Sequence, residues 1–301
     1  MTAAATLEST AWRRMLRHRL AWLSLAFLGV MLVLAVAAPL IADLRGIDPT
    51  ETDLFRRFEG PSARHWLGTD DLGRDLFQRL LDGGRVSLLV GISGAVLSAI
   101  LGAVIGVLAG YLGGRLDAFL MRLTDGVISL PLLPLLIVLA AVDPRKLGVP
   151  AEIALSEMFS LYRIVVIVAL TGWTTVARLV RAETLSLKAR DFTRAAVALG
   201  ARPGRIMFRH ILPNTAGTLV VATTMSVGTL ILFESTLSFL GLGIQPPAAS
   251  WGNMLTGAQE LLQEAPVLAL WPGLLIFLTV IAFNFLGDGL QDALDPRSER
   301  R

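Results

Sequence analysis

Residues 191–214, DFTRAAVALGARPGRIMFRHILPN, form a basic and amphipathic stretch in a chain that is otherwise mostly apolar. If the first half is helical, one apolar stripe with the spacing i, i+3, i+4 and i+7 is formed by Phe192, Ala195, Ala196 and Leu199. Gly200 follows where a helix would end in a left-handed residue, and Pro203 stands where a second helix could begin. The spacing therefore predicts two short helices joined by a glycine turn.

The second half of this stretch carries a shorter apolar stripe, which we expect Pro213 to end. Its members are Ile206, Met207, His210 and Ile211. A folded polar module between apolar stretches indicates a docking surface for another protein. The alternative is an ordinary amphipathic helix that lies on anionic lipid.

The composition places the rest of the chain in a membrane. Hydrophobic residues make up 54% of the 301 residues and charged residues only 17%, a balance that would expose too much apolar surface in water. The absence of cysteine excludes disulfides, thiolate metal sites and cysteine nucleophiles. The basic balance does not favour nucleic acid as a partner, because membrane proteins also concentrate basic residues beside their cytoplasmic spans.

Six stretches are candidates for crossing a bilayer, which takes roughly 20 residues of helix. They are residues 20–42, 86–114, 117–142, 164–177, 215–233 and 265–287. The fourth lies between Arg163 and Arg178 and is short, so it spans only if these arginines extend toward the headgroups. The first is too long for the apolar region of a secretory signal, so we interpret it as an uncleaved span. The sequence predicts an all-α integral membrane protein with six transmembrane helices.

The distribution of basic residues predicts that both termini are cytoplasmic. Arginines are concentrated in the start of the chain, in residues 178–209 and in the tail, whereas residues 238–264 hold no lysine or arginine. This is the positive-inside pattern. Residues 43–85 disagree, because they carry several arginines and must lie outside in this topology.

The segments between the spans have different characters. In the outer segment, a short amphipathic helix at the membrane surface is predicted by Leu72, Phe77, Leu80 and Leu81. Residues 143–163 are expected to form a loop with another surface helix. The loop after Glu234, rich in glycine and proline, is expected to be a defined re-entrant or capping turn.

Three glycines of the second predicted span, Gly102, Gly106 and Gly110, repeat the GxxxG spacing, which lets another helix approach closely. Packing inside one bundle is favoured over a dedicated dimer motif. The three histidines lie in different segments without metal-ligand spacing, so we expect no metal site.

Three polar residues of the spans could be structural or could line a translocation path. Arg122 and Asp125 are one turn apart, and we expect them to neutralise each other. Glu234 ends an apolar run, where an unpaired carboxylate is costly. A position beside the outer headgroups is favoured for it over a contact with substrate.

Several motifs of nucleotide binding and metal-dependent catalysis are missing. The chain contains no GxxxxGK[ST] phosphate loop, no GxGxxG between a strand and a helix, and no HExxH. If the protein moves a solute uphill, it uses an ion gradient or the ATP hydrolysis of another chain. The polar cytoplasmic module favours the second alternative.

Residues 191–214 resemble the EAA loop of ABC importer permeases. In register with that pattern are Ala195, Ala196, Gly200, Leu212 and Pro213, whereas Arg194 and His210 replace its Glu and Ile. The run FRHILPN is similar to the dipeptide, oligopeptide and nickel branch. So are GTDDLGRD at 68–75, LSFLGLGIQPPAASWGNML at 237–255 and GDGLQDALDPR at 287–297. The arginine-rich start followed by one long span resembles the C-type subunit of that branch.

The resemblance implies a type I ABC importer permease fold with cytoplasmic coupling helices, in a prokaryotic inner membrane. It divides the chain into an N-terminal segment with the first span (1–60), an outer surface segment (61–85), the permease core (86–290) and a cytoplasmic tail (291–301). It implies a heterodimer with a homologous B-type permease subunit, two ATPase subunits that bind ATP and Mg²⁺, and an extracytoplasmic solute-binding protein. No cofactor is expected on this chain.

The resemblance also assigns the docking role. The residues expected to contact an ATPase are Phe192, Ala195, Ala196, Leu199, Gly200, Arg205 and Met207. The expected substrate is a dipeptide or oligopeptide, with a nickel chelate or another small solute as alternatives. The chain itself is not expected to be an enzyme.

Two other classes of function would require features that differ from those of the sequence. A secondary transporter or channel that acts alone would show ionisable residues facing each other at mid-span and internal inverted repeats, and neither is visible. A membrane-bound enzyme would need a catalytic pair inside the bundle, and none is visible either.

Overall fold

The computed structural model describes residues 18–257 and 263–294, and these residues are organised as α-helices joined by turns and loops. The helices are α1 (Arg19–Arg45), α2 (Leu76–Leu112), α3 (Gly114–Ser129), α4 (Leu132–Ala141), α5 (Glu157–Lys188), α6 (Asp191–Ala198), α7 (Pro203–Ile206), α8 (Ala216–Phe239) and α9 (Val267–Leu294). A further α-helix of one turn lies at Ala151–Ala154, and 3₁₀ turns lie at Leu54–Arg56, Pro144–Leu147 and Asn253–Leu255. The arginine-rich start and the tail beyond residue 294 lie outside the described residues.

Five of the described helices are long and apolar enough to cross a membrane, and α3 with α4 forms a sixth span if the two are counted as one. These two helices are bent by 90° where residues 130 and 131 separate them. The bend follows from Pro131, because a proline disfavours helical geometry in the residue before it. The protein is therefore an all-α multi-pass membrane protein, as the composition predicted.

The fourth span is longer than its apolar core. Helix α5 has 32 residues and continues through both arginines that were expected to bound the span. Both arginines have partners that permit this: Arg178 pairs with Asp125 of α3, and Arg163 donates to the carbonyl of Leu242. Further along α5, the Arg181 guanidinium donates to both carboxylate oxygens of Asp117. The prediction of a span over residues 164–177 was too short for this reason.

The prediction of a separate surface helix before the second span was wrong. Leu76 begins α2 directly, with the side chain of Asp75 accepting a hydrogen bond from the backbone N–H of Gln78 as the N-cap. Leu80 and Leu81 are buried in the helical core. The mixture of apolar and polar residues predicted a surface helix. The prediction failed because the polar residues of this segment contact other buried polar groups rather than water.

The interface between α2 and α5 is built on the glycine repeat. A Cβ atom added to Gly106 would lie 2.6 Å from the carbonyl oxygen of Ala177, and one added to Gly102 would lie 2.6 Å from Cβ of Val176. Gly110 meets Thr184 in the same way. The glycines therefore let two helices of one chain touch backbone to side chain, which confirms the prediction of packing within the bundle.

The segment between α1 and α2 is held by buried charges at the end of the first span. Arg45, the last residue of α1, donates to both carboxylate oxygens of Asp75 at 3.1 Å. The ring nitrogen Nδ1 of His65 lies 3.0 Å from the same carboxylate. Arg45 also stacks over the ring of Trp66, with its guanidinium carbon 4.5 Å from the ring centroid. These contacts fix the position of residues 46–75 relative to α1 and α2.

Candidate docking loop and buried polar sites

The loop between α5 and α8 contains the two short helices that the sequence predicted. Helix α6 ends at Ala198, and Gly200 adopts a left-handed conformation with φ of +80°. The backbone N–H of Ala201 donates to the carbonyl of Ala196 at 3.0 Å and closes the turn. Pro203 is the first residue of α7, where its missing N–H costs no hydrogen bond.

The chain continues from α7 into the membrane without the break expected at Pro213. A π-helical turn over Met207–Ile211 and a 3₁₀ turn over Leu212–Thr215 lead directly into α8. Together they make one helical stretch, Pro203–Phe239. The wider turn before Pro213 explains the continuity, because local π adjustments accommodate the backbone group that a proline leaves unpaired.

We call residues 189–215, between α5 and α8, the docking loop. The docking loop rests on a second hydrophobic cluster, separate from the main core. This cluster joins α2, α5 and the start of the Pro203–Phe239 stretch through Val107, Val176, Val180, Ile206, Met207 and Ile211. Thr193 secures α6 to the end of α5 by donating from Oγ1 to the carbonyl of Leu187 at 2.8 Å. The loop is thus packed against the bundle through Ile206, Met207 and Ile211 and is bonded to the end of α5 through Thr193.

Burial divides the predicted docking residues into two groups. Phe192, Ala195, Gly200 and Arg205 are exposed, and Leu199 is the most exposed of the large apolar side chains in this loop, at 88%. Ala196 is partly buried and packs against the second cluster.

Met207 differs from the prediction, because its side chain is buried within the chain's own second cluster. It supports the loop from inside and is not available as an apolar anchor for a partner.

Two exposed apolar side chains of the loop were missed in the sequence. Val197 is on α6, and Phe208 lies in the π-helical turn. Regular helical spacing could not place Phe208, because the π-turn shifts the following residues around the helix axis. With Phe192 and Leu199, these residues form what we call the exposed apolar set of the docking loop.

The pair Arg122 and Asp125 does not neutralise itself as predicted. Asp125 forms an ion pair with Arg178 of α5, and both side chains are largely exposed. The partner of Asp125 is set by the approach of α5 and not by the spacing of one turn within α3. Two arginines of α5 pair with two acids of α3. Arg122 is also exposed.

Glu234 occupies a wholly buried site in α8, so the prediction of a position beside the outer headgroups was wrong. Its carboxylate accepts hydrogen bonds from three serines: Ser238 at 2.7 Å, Ser87 at 2.9 Å and Ser235 at 3.4 Å. Several hydroxyl donors make a buried carboxylate tolerable without a cation. The apolar sequence around it hides this site, because Ser87 comes from a distant helix.

The serines around Glu234 also hold the loop that follows α8. Ser87 Oγ accepts from the backbone N–H of Trp251 at 3.2 Å, and Ser238 Oγ accepts from that of Ile244 at 3.1 Å. The indole of Trp251 is fully buried and donates to the carbonyl of Leu80 at 3.0 Å. The loop is therefore folded onto α2, as expected for the defined re-entrant or capping turn that the sequence predicted.

The described residues offer no metal centre, since no three His, Asp or Glu side chains among them converge on one point.

Comparison with known proteins gives a match along nearly the whole chain. Residues 102–300 match the family described as "Binding-protein-dependent transport system inner membrane component", and residues 6–61 match "N-terminal TM domain of oligopeptide transport permease C". A putative peptide permease protein of Brucella suis is 42% identical over 288 residues, which cover 95% of this chain and 90% of that protein. The oligopeptide transport system permease protein OppC of Bacillus subtilis is 36% identical over 292 residues, with 97% and 90% covered. The glutathione transport system permease protein GsiD of Salmonella typhimurium is 41% identical over 290 residues, with 95% and 89% covered.

Proposed function

This chain belongs to the family of binding-protein-dependent transport system inner membrane components, and from this premise we propose that it is a permease subunit of an ATP-driven ABC importer for short peptides. The observation that carries the proposal is the docking loop, which presents exposed apolar side chains on a rigid base. Relatives that match over nearly the whole chain are named as permeases for peptides, oligopeptides and glutathione. Peptides are therefore favoured over a nickel chelate or another small solute.

The partners follow from what the chain lacks and what it exposes. It has no phosphate loop, so ATP and Mg²⁺ would be bound by two separate ATPase subunits. A homologous B-type permease would supply the other half of the path, and an extracytoplasmic binding protein would deliver the peptide. The docking loop and both termini would face the cytoplasm, where the basic residues are concentrated.

The docking loop would transmit the motion of the ATPases to the spans. Apolar anchors surrounded by charged residues are typical of the contacts that dominate protein interfaces. Leu199 and Phe192 would insert into a groove of the ATPase, with Arg205 and its neighbours at the rim. The second cluster ties the loop to α2, α5 and α8, so a displacement of the loop would move these helices as one body.

Reconstitution tests this proposal directly. The chain is purified with its B-type partner and ATPases, placed in liposomes, and given binding protein and a labelled peptide. We expect uptake that needs ATP, and no ATP hydrolysis by the chain alone. Uptake that persists without ATP, or robust hydrolysis by the isolated chain, would contradict the role as a permease subunit. Uptake of a nickel chelate but of no peptide would contradict the assigned substrate.

A further inference from the structure

Two adjoining cavities lie along the groove between α5 and α8. The first, of about 460 Å³, lies at the middle of both helices and is also lined by the bend between α3 and α4. The second, of about 560 Å³, lies at the end of α5 and the start of α8, on the side of the docking loop. Both are lined by Leu179, Ala222 and Met225, so they form one continuous groove.

The middle of this groove is lined by uncharged polar groups. They are contributed by three helices and include Thr175 of α5, Ser226 and Thr229 of α8, and Asn284 of α9. Thr175 and Thr229 are exposed in this chain although they lie at the centre of membrane-spanning helices. Polar side chains at that depth normally face the bundle interior or a water-filled path, because contact with lipid is unfavourable.

The broken span points to water at the same place. Residues 130 and 131, between α3 and α4, are non-helical and exposed, and Leu130 lines the first cavity. Non-helical backbone at membrane depth is tolerated only where protein covers it or where it lines an aqueous cavity. The bend and the hydroxyl groups thus line the same cavity, and both require either water or a covering protein surface at this place.

Charge is confined to one end of the groove. Among the described residues that line the two cavities, Glu183 of α5 is the only charged one. Its Oε2 atom is buried and has no hydrogen-bond partner in the described part of the chain. Around it lie the amides of Asn214 and Gln291 and the hydroxyl of Thr218. Glu183 thus brings to the wall of the cavity a carboxylate with an oxygen that no donor of the described residues uses, and such a group is suited to bind a cation.

We propose that the groove between α5 and α8 is this chain's wall of the peptide path, with hydroxyl and amide groups that bind the peptide main chain. Glu183 binds a cationic group of the peptide at the cytoplasmic end. The inference rests on the proposed function as a peptide importer. Main-chain amides are the same in every peptide, so neutral donors and acceptors can hold peptides of any side-chain charge. The single acid gives the path a preference for cations at one end.

The absence of cysteine from the chain makes the groove directly testable. Thr175→Cys and Thr229→Cys are made in the complete assembly, and Leu170→Cys and Val220→Cys serve as matched controls. The control positions lie on the same two helices and are exposed, but they do not line the groove. Each assembly is treated with a small charged methanethiosulfonate reagent, and peptide uptake is measured before and after. The unmodified assembly, treated in the same way, reports any effect on cysteines of the partner subunits.

We expect both groove cysteines to react and uptake to be lost on modification, whereas uptake by the two controls is retained. Groove cysteines that do not react would mean that a partner helix or lipid covers the groove, and this would overturn the inference. Modification without loss of uptake would overturn it as well. If the untreated parent assembly takes up no peptide at all, the proposed function fails instead, and the two failures are thereby distinguished.

Glu183→Gln tests the charge at the cytoplasmic end. Uptake of a lysine-containing dipeptide is compared with that of a glutamate-containing dipeptide of equal length. The ratio of cationic to anionic uptake should fall by about tenfold, because a charged cleft raises the local concentration of oppositely charged substrate. Glu152→Gln, at an exposed position outside the groove, controls for the loss of one negative charge. An unchanged ratio in Glu183→Gln would remove Glu183 from the path.

Discussion

Glu234 accepts a hydrogen bond from Ser87 at 2.9 Å across 147 residues of sequence, and the same hydroxyl of Ser87 accepts one from the backbone of Trp251. The carboxylate thus lies at the centre of a network that joins α2, α8 and the loop after α8. A second serine of the network, Ser238, bonds Ile244 of the same loop. One buried acid therefore connects the two serines that hold this loop against the bundle.

Replacement of this acid should loosen the loop and lower the stability of the protein. Glu234→Ala leaves several buried hydroxyls without their acceptor, which costs on the order of 2–4 kcal/mol. We expect a lower melting temperature of the purified assembly and faster proteolysis of residues 240–257. Thr236→Ala, on the same helix but outside the network, should change neither, because the Thr236 hydroxyl bonds only the carbonyl of Leu232 in its own helix. A melting temperature of Glu234→Ala equal to that of the parent protein would contradict the structural role of the network.

The close approach of α2 and α5 makes a second prediction. Gly106→Ala places a methyl group 2.6 Å from the carbonyl of Ala177, so the helices must separate, at a cost of roughly 1–3 kcal/mol. Gly126→Ala is the matched control, since nothing lies within 4 Å of a Cβ at that helical position. The control should be neutral or slightly stabilising, because alanine favours a helix over glycine by about 1 kcal/mol. Thermal unfolding of both variants in detergent is the measurement, and equal losses would contradict the tight interface.

Local signals explain which parts of the fold the sequence could predict. The Gly200 turn, the start of α7 at Pro203 and the glycine repeat of α2 each depend on the conformational needs of one residue type. The long apolar runs were equally clear, because their length alone matches a bilayer.

The features that were missed depend on contacts between distant residues. The continuation of α5 beyond residue 177 depends on acids of α3 that neutralise Arg178 and Arg181, and the burial of Glu234 depends on a serine of α2. The face of the helix on which Phe208 lies depends on a π-helical turn, which regular helical periodicity does not describe. None of these relations can be obtained from spacing along one helix.

The proposed topology makes a third prediction. It tests whether the arginine-rich residues 43–85 lie on the outer side of the membrane. Phe55 is fully exposed in the segment between α1 and α2, and Val197 is exposed on the docking loop. We expect Phe55→Cys to react with a membrane-impermeant thiol reagent added to intact cells. Val197→Cys should react only after the cells are permeabilised, because the docking loop is expected inside. The opposite pattern would reverse the orientation of the whole chain.

Leu199 should dominate the contact with the ATPase if the docking loop acts as proposed. Burial of one large apolar side chain contributes roughly 1.5–3 kcal/mol, so Leu199→Asp should weaken docking by about 10- to 100-fold. Copurification of the ATPases and ATP-dependent uptake should both fall, while insertion and melting temperature stay unchanged. Leu147→Asp is the control, since this leucine is also highly exposed but lies on the outer side in the proposed topology. Undiminished copurification of the ATPases with Leu199→Asp would place the docking contact elsewhere.

Gly200 allows a separate test of whether the shape of the loop matters. Its φ of +80° is strained for a residue with a β-branched side chain, although the space around it is open. Gly200→Val therefore alters the turn without a steric clash, at a cost of about 1–3 kcal/mol for the strained backbone. We expect Leu199 and Phe192 to lose their relative positions, so that uptake falls although the exposed apolar set is intact. Gly204→Val has the same added side chain at a helical position with equally open space, and it should retain uptake. If both variants transport peptide at the parent rate, the ATPase recognises the loop by composition alone and its rigid geometry is not required.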